Sequence, residues 1–223
     1  MEVFHCGPSR ASSRLVGTMP RTILLSVLCC CLGAGPTPTT RPGPATHPTS
    51  APARVKDAML NGALRYLVPA DWQLVRRTDD GLNVTYMLPQ KQGAVSLVVT
   101  PQRGAFPKGN VGLKQRMAQS VLKAVNDDLA RRKVEVIDRP KLEPDDAFVA
   151  RVAYRFKEGD ATVRAMHAYR AIGTVVVSVT SALTIEDAAE AQGVHDEAAT
   201  MLLGVTSGPA NPNLMRPVPI KAD

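Results

Sequence analysis

Cysteine is missing from most of this sequence. The chain has 223 residues, and its four cysteines, Cys6, Cys29, Cys30 and Cys31, all lie within the first 31. The remainder therefore has no disulfide framework, no thiol nucleophile and no cysteine-based metal site.

Aromatic residues are also scarce, since Phe, Trp and Tyr make up 4% of the chain. The formal net charge is +7, and the basic residues are spread along the sequence. Nucleic-acid binding needs a concentrated basic face with aromatic side chains that stack on bases, so we expect no nucleic-acid partner. The mild positive excess is typical of a solvated surface, although an acidic partner or an anionic membrane surface would also suit it.

Catalytic signatures are missing as well. The sequence has no G-x-S-x-G or P-loop spacing, and its four histidines are scattered. His167 lies mid-strand and is interpreted as a buried, hydrogen-bonded histidine. His195 has Asp196 and Glu197 beside it, but adjacent helical positions do not face one another. We therefore predict no catalytic residue, no metal and no cofactor; an enzyme would need His167 and a carboxylate within reach in a cleft.

The N-terminal residues 1–34 read as a leader. Met19 is a plausible start, and Thr22–Leu32 forms an apolar run that is short for a membrane span but typical of a signal peptide. Small residues follow at 33–35. This predicts an exported protein, either periplasmic or membrane-anchored. The cysteine triplet matches a lipobox imperfectly, so lipidation at Cys29, Cys30 or Cys31 stays open.

Two proline-rich segments bound a single domain. Residues 35–54 are rich in Pro, Thr and Ala, cannot bury enough surface to order themselves, and predict a disordered linker that acts as a tether. Residues 207–223 hold four prolines without periodicity and predict a disordered tail. The folded domain is expected to span residues 55–206.

Periodicity within this domain predicts an α+β fold. Apolar residues alternate in several short segments, which predicts an antiparallel sheet of about six or seven strands with one face more polar than the other. Every-fourth-residue apolar stripes predict two long helices, from Val111 to Arg132 and from about Ile185 to Gly204. Thr184–Asp187 resembles a capping box that would start the second helix.

The segment Leu64–Trp72 carries a family resemblance. Its Tyr66, Pro69 and Trp72 resemble the Y-x-x-P-x-x-W start of the Mog/PsbP-like fold, a group that includes PsbP and the exported bacterial lipoproteins DcrB and LpqN. The resemblance covers about residues 60–206. It implies an α/β/α sandwich, no shared catalytic residues, and bacterial members that are mostly exported or lipid-anchored and bind partners.

These observations lead to a first functional hypothesis: a non-enzymatic accessory protein of a bacterial envelope, tethered by its linker, that binds an envelope protein or lipid component. Its candidate interaction surface is Arg76, Arg77 and Lys108, which lie in or near the Gly- and Pro-containing loop Gln102–Asn110.

The alternative hypothesis is a module that binds a small apolar ligand, such as a lipid or glycolipid. Its candidate pocket would be formed by Trp72, Tyr86 and Tyr154. Trp72, the single tryptophan, is either a core anchor or a side chain that stacks on a ligand.

Overall fold

The computed structural model describes residues 53–101, 111–143, 146–173 and 175–208. The predicted leader, nearly all of the linker, the loop with Lys108 and most of the tail lie outside these residues. The described elements are, in order, β1 (Arg54–Met59), β2 (Leu64–Pro69), β3 (Gln73–Arg77), β4 (Asn83–Met87), β5 (Gly93–Pro101), α1 (Val111–Arg132), β6 (Glu135–Leu142), β7 (Ala150–Glu158), β8 (Ala161–Ile172), β9 (Val175–Leu183), α2 (Ala188–Leu203) and β10 (Thr206–Ser207).

The main sheet has seven antiparallel strands in the order β3-β4-β5-β9-β8-β7-β6. This confirms the predicted α+β class and antiparallel sheet. At its centre, β5 and β9 face each other at nine positions, from Gly93 opposite Leu183 to Pro101 opposite Val175. The strands on either side are added to this central pair.

The two helices pack on opposite faces of the main sheet. Val163 and Ala165 of β8 share a core with Val121 and Val125 of α1. The alternate residues of the same strand, such as Met166, share the other core with α2. Successive side chains of a strand point to opposite faces, so β8 contributes to both cores. The main sheet therefore lies between helices, as in an α/β/α sandwich.

A second, three-stranded sheet in the order β1-β2-β10 was not expected from the sequence. Pro69 ends β2, and the Trp72 N–H donates to the Pro69 carbonyl at 3.2 Å, which turns the chain away before β3. Tyr66 and Val68 of β2 are buried in the α2-side core. Helix α2 thus packs against both sheets.

The central strands are buried on both faces, whereas the alternation had indicated one apolar and one more polar face. Ser96 and Ser178 lie on the α1 side of the sheet and are buried. Ser178 donates to the Val98 carbonyl at 3.3 Å, and Ser96 Oγ lies 2.7 Å from Thr85 Oγ1. Buried hydroxyls are tolerated here because each has a hydrogen-bond partner.

Helix α2 begins later than predicted, and the capping box is wrong. Asp187 is the N-cap and accepts from the N–H groups of Ala189 and Glu190 at 2.8 and 2.9 Å. Thr184 instead donates its hydroxyl to the Gln92 carbonyl at 3.1 Å. Ile185 is buried in the core, so the segment before Asp187 is a packed connection and not the first helical turn.

Gly93 provides a test of the central pairing. Its φ is +151°, and an added Cβ would lie 2.3 Å from the Ala182 carbonyl oxygen and 2.9 Å from Leu183 Cα. We expect Gly93→Ala to lower the free energy of unfolding by more than about 2 kcal/mol, because backbone atoms of β9 must move. Gly193→Ala is the control: it has open space within α2 and should gain about 0.5–1 kcal/mol. Urea denaturation measures both, and equal stability of the two variants would contradict the proposed close approach.

Candidate functional site

Two arginines face each other on adjacent strands of the main sheet. Arg155 of β7 lies directly opposite Arg164 of β8. They share the α2 side of the sheet with Ala153 and Met166. Directly opposite side chains of an antiparallel pair have Cβ atoms about 5 Å apart, and like charges at such positions destabilise the sheet. The pair therefore calls for an explanation.

Both arginines line a cleft of about 560 Å³. Ala153 and the two arginines form its floor, and the start of α2 forms one wall with Ala188 and Ala191. The edge strand β6 forms the rim. The complete lining is Asp138, Arg139, Lys141, Glu143, Ala153, Tyr154, Arg155, Arg164, Ala165, Ala188, Ala191, Gln192 and His195. Small side chains on the floor and wall leave the space open.

The cleft lining is positively charged. It has four cationic side chains against two carboxylates, an excess of two positive charges. Asp138 lies 2.7 Å from Arg155 Nε, and Glu143 lies 3.2 Å from the Nε of the neighbouring Arg151. Arg151 also pairs with Asp196 at 2.9 Å. Both carboxylates of the lining are thus already paired with an arginine.

Arg164 has fewer hydrogen-bond acceptors around its guanidinium group than Arg170, which lies on the same face of β8. Arg170 donates to the carbonyls of Leu202 at 3.3 Å, Val205 at 3.2 Å and Leu203. A cation suits the C-terminal end of a helix, so Arg170 has a structural role at the end of α2. Arg164 donates to the Glu186 carbonyl at 3.2 Å, and its buried Nε has no hydrogen-bond partner within the described chain.

His195 of α2 adds a neutral imidazole to the cleft wall. Its Nδ1 lies 2.7 Å from Ser181 Oγ, so Nε2 is the ring nitrogen that remains for a ligand. Burial lowers the pKa of His195 to about 4, and the positive charges of Arg151 and Arg164 act in the same direction. The ring is therefore uncharged near neutral pH.

His167 is buried on the α1 side, as the sequence indicated. Its Nε2 lies 3.0 Å from the Tyr154 hydroxyl and its Nδ1 lies 3.0 Å from Thr180 Oγ1. Burial lowers the pKa of His167 to about 4. Both ring nitrogens are satisfied by hydroxyl groups, and the side chain points to the face of β8 opposite the arginine pair.

The structure separates the residues of the predicted basic surface. Arg76 lies on the exposed edge strand β3, and Lys108 lies outside the described residues. Arg77 binds both carboxylate oxygens of Asp57, at 2.7 and 2.8 Å, and also donates to the Ala58 carbonyl. Arg77 therefore joins the two sheets and is less available to a partner than its exposed strand suggests.

Asp57 is the centre of this connection, which we call the Asp57 cluster: Asp57, Tyr66, Arg77 and Tyr86. Tyr86 donates its hydroxyl to Asp57, and the Tyr66 and Tyr86 hydroxyl oxygens lie 2.8 Å apart. Burial would raise the pKa of Asp57, but the hydrogen bonds from Tyr86, the Ala58 N–H and Arg77 outweigh it and hold that pKa below its ordinary value. The carboxylate is thus kept ionised at the junction of the sheets.

The predicted apolar pocket is not brought together. Trp72 and Tyr86 are buried in the α2-side core, whereas Tyr154 belongs to the core on the α1 side. The register places Tyr86 and Tyr154 on opposite faces of the main sheet. A ligand could not contact all three side chains without crossing the sheet.

The arginine pair could have been found from the sequence by combining strand alternation with the position of the hairpin turn. Alternation along β8 puts Arg164 and Arg170 on the face opposite His167, which agrees with the register in the structure. The partner Arg155 follows from the two-residue turn Gly159–Asp160, because Glu158 pairs with Ala161 and fixes the register of the hairpin. The contribution of α2 depends on tertiary packing and could not be counted from the sequence.

The described residues contain neither a cluster of metal ligands nor a membrane-spanning helix. Across residues 53–101, 111–143, 146–173 and 175–208, no three His, Cys, Asp or Glu side chains are grouped to hold a metal ion. In the same ranges, no helix is both long and apolar enough to cross a membrane.

The Asp57 cluster predicts a measurable stability difference. Asp57→Asn removes the charge that Arg77 and Tyr86 are arranged around, and we expect a loss of about 2 kcal/mol in the free energy of unfolding. Asp79→Asn, at an exposed turn position, makes the same chemical change and should stay within about 0.5 kcal/mol of the parent. Urea denaturation compares the two, and equal losses would show that the cluster does not hold the sheets together.

The two buried histidines predict a pH dependence of stability. Their folded-state pKa values of about 4 lie below the ordinary 6.5, so the unfolded chain binds more protons between these values. Stability should therefore be full above about pH 6.5 and fall as the pH is lowered toward 4, by up to about 3 kcal/mol per histidine.

Urea denaturation between pH 7 and 5 measures this slope. His195→Gln should flatten it by about one proton, because glutamine can keep a hydrogen bond to Ser181 without titrating. An unchanged slope in the variant would contradict the assignment of His195 as a buried neutral group.

Comparisons with known proteins yield structural similarities alone. No family model and no curated protein sequence matches the chain. The solution structure of a cyanobacterial PsbP (CyanoP) from Synechocystis is 13% identical, with a TM-score of 0.48, and the match covers 74% of this chain and 98% of that one. A crystal structure from Bacteroides thetaiotaomicron is 10% identical, with a TM-score of 0.44, covering 69% of this chain and 48% of that one.

The first of these structures is a PsbP protein, the group that the sequence resemblance named. At these identities, and with both TM-scores below 0.5, nothing about the function of this chain follows from the likeness. The DcrB and LpqN part of the resemblance stays a prediction. The chain is similar in architecture to these structures, and its candidate site rests on its own geometry.

Proposed function

We propose that this chain is a non-enzymatic, exported accessory protein of a bacterial envelope, and that it binds an anionic partner molecule in the cleft between α2 and strands β6–β8. The observation that carries the proposal is the facing pair Arg155 and Arg164, set in a cleft whose lining has an excess of two positive charges. An anion between the two guanidinium groups would remove their mutual repulsion.

A binding role explains Arg164 better than a structural role does. The structural use of an arginine at α2 is seen in Arg170, which satisfies three carbonyls at the helix end. Arg164 lies six residues earlier on the same face and has the Glu186 carbonyl as its hydrogen-bond acceptor. A cation that is positioned by the fold and incompletely paired is suited to an external anion.

The non-enzymatic part of the proposal is supported by the hydrogen bonds of the two described histidines. His167 is bound by Tyr154 and Thr180, and His195 by Ser181. Their hydrogen-bond partners are hydroxyl groups, and neither ring receives the carboxylate that orients a general base in a catalytic triad. Ser181 itself is buried, which keeps its hydroxyl away from a substrate.

Export is supported by the sequence of the leader and linker. The apolar run Thr22–Leu32 and the proline-rich segment that follows fit a signal peptide and a tether to the envelope. The surface of Arg76, Arg77 and Lys108 stays the alternative site of contact with an envelope protein. Of these three, Arg76 is the clean test, since replacing Arg77 would also break the Asp57 cluster.

The cleft can be tested by native purification of the mature protein from its own envelope extract, with mass spectrometry of the retained compounds. Arg155→Gln with Arg164→Gln should lower retention of anionic compounds by about tenfold or more, because both charge partners are lost. Arg76→Gln with Arg116→Gln removes the same number of exposed arginines outside the cleft and tests the alternative surface at β3; it is expected to retain them.

Unfolding free energies of the two double variants are measured in parallel, so that loss of binding is separated from loss of folding. Equal retention by the cleft variant and the parent would overturn the cleft as the binding site. Loss in the Arg76 and Arg116 variant alone would transfer the assignment to the surface that includes β3.

A further inference from the structure

We propose that the anion bound in the cleft is a phosphate monoester in its dianionic form, held between Arg155 and Arg164 with its organic group directed toward the alanines of the floor and wall. This inference rests on the proposed binding function and names its ligand class. Four steps lead from the cleft lining to this ligand class: charge, acceptor number, the neutral histidine and space.

The first step is charge. The lining has four cationic side chains, Arg139, Lys141, Arg155 and Arg164, against Asp138 and Glu143. Asp138 contacts Arg155, and Glu143 contacts Arg151, whose own positive charge is also paired with Asp196. A ligand with two negative charges would balance the lining, whereas a monocarboxylate would leave half of the excess uncompensated.

The second step is the number of acceptor oxygens. Arg155 and Arg164 enter the cleft from adjacent strands, Arg155 beside Asp138 of β6 and Arg164 beside the Glu186 carbonyl that precedes α2, so an anion between them would have a donor on each side. A carboxylate has two oxygens in one plane and is satisfied by a single bidentate arginine. A phosphate monoester has three terminal oxygens in a tetrahedral arrangement and can accept from both arginines and from a third donor.

The third step is His195. Its Nδ1 is engaged by Ser181 at 2.7 Å and the residue lines the cleft, so Nε2 is the ring nitrogen left to contact a ligand there. With a pKa that burial lowers to about 4, the ring is neutral and can serve as a hydrogen-bonding group without adding charge. Arg151, Arg164 and Asp196 are the charged groups that act on it. The third position around the anion is therefore a neutral one.

The fourth step is space. A cleft of about 560 Å³ is larger than a phosphate group requires and falls within the range of small-molecule sites. Ala153, Ala188 and Ala191 supply small apolar surface next to the arginines. The carbon atoms esterified to the phosphate can pack there, which favours a monoester over inorganic phosphate.

Isothermal titration of the mature protein tests this with glycerol 3-phosphate, inorganic phosphate, succinate and acetate as probes. We expect glycerol 3-phosphate to bind at least about tenfold more tightly than acetate. The second ionisation of a phosphate monoester has a pKa of about 6, so its affinity should fall between pH 7 and pH 5. Over that range His195 stays neutral. Succinate also loses its second charge as the pH falls toward 5, so the pH profile identifies a dianion, and the affinities at pH 7 separate the phosphate from the dicarboxylate.

Three double variants separate the alternatives. Arg155→Gln with Arg164→Gln should abolish glycerol 3-phosphate binding, and Arg155→Lys with Arg164→Lys should weaken it partially, because the charge remains while the planar fork is lost. Arg65→Gln with Arg116→Gln, which removes two exposed arginines outside both candidate surfaces, should leave it unchanged. The His195 ring resonances should shift on titration with glycerol 3-phosphate in the parent and not in the Gln variant of the cleft.

Two further binding measurements identify the source of the phosphate. Binding to phosphatidylcholine vesicles that contain phosphatidic acid, with no binding to phosphatidylcholine alone, identifies a lipid headgroup; binding to glycerol 3-phosphate alone identifies a free ester. Succinate as tight as glycerol 3-phosphate would overturn the phosphate class. If the cleft variant loses envelope compounds but no phosphate probe binds, the phosphate assignment is wrong and the proposed binding function stands. If the cleft variant retains the envelope compounds and no phosphate probe binds, both the phosphate assignment and the proposed binding function are wrong.

Discussion

The pairing of β5 with β9 is the constraint on which the other elements depend. Nine facing positions join the two strands, and most of their side chains are buried on both faces. Strands β4 and β3 extend the sheet on one side, and β8, β7 and β6 extend it on the other. Because the side-chain period of a strand is two, a slip of one residue in this pair would exchange the two cores. The backbone at Gly93 approaches β9 more closely than any side chain would permit.

The arginine pair stands out against this consistent background. Polar groups in the Asp57 cluster, in His167 and in Arg170 have identifiable partners. Arg155 and Arg164 instead face each other; Arg155 pairs with Asp138 at 2.7 Å, whereas the buried Nε of Arg164 has no hydrogen-bond partner among the described residues. Folded proteins keep such local conflicts mainly where a function requires them. The burial supplied by α2 and the central strands is what allows the sheet to hold this repulsion.

Much of the architecture could be predicted from the sequence, because it depends on period and turn chemistry. Alternation identified most of the strands of the main sheet, and the four-residue stripe identified α1 at its observed bounds. The start of α2 was less accessible: Thr184 had the right residue type for a cap, but Ile185 is needed in the core, and burial overrode the local motif. The separate three-stranded sheet depends on pairing between β2 and the distant β10, which no local pattern encodes.

The candidate site was harder to predict than the fold for a physical reason. The side chains that form it come from β6, β7, β8 and α2, and each is unremarkable within its own element. Arg155 looks like a solvated strand charge until the hairpin register sets it against Arg164. Conversely, Trp72, Tyr86 and Tyr154 drew attention as aromatic residues, yet their size is used for packing in two different cores. Residue type indicated the core well, while function depends on which charges the topology brings together.

The two-sided use of β8 sets limits on how this chain can change over evolution. Its odd-numbered positions from Val163 to Tyr169 build the α1 core and the histidine site, while its even-numbered positions from Arg164 to Arg170 build the cleft floor and the support of α2. The strand thus depends on its two-residue side-chain period. A substitution can alter the side chains on one face and leave the other face unchanged. A single inserted or deleted residue within the strand would move the side chains beyond it to the opposite face and so disturb both the α1 core and the cleft. Length variation in this region is expected to be confined to the hairpin turns, whereas the ligand preference of the cleft can drift by point substitution.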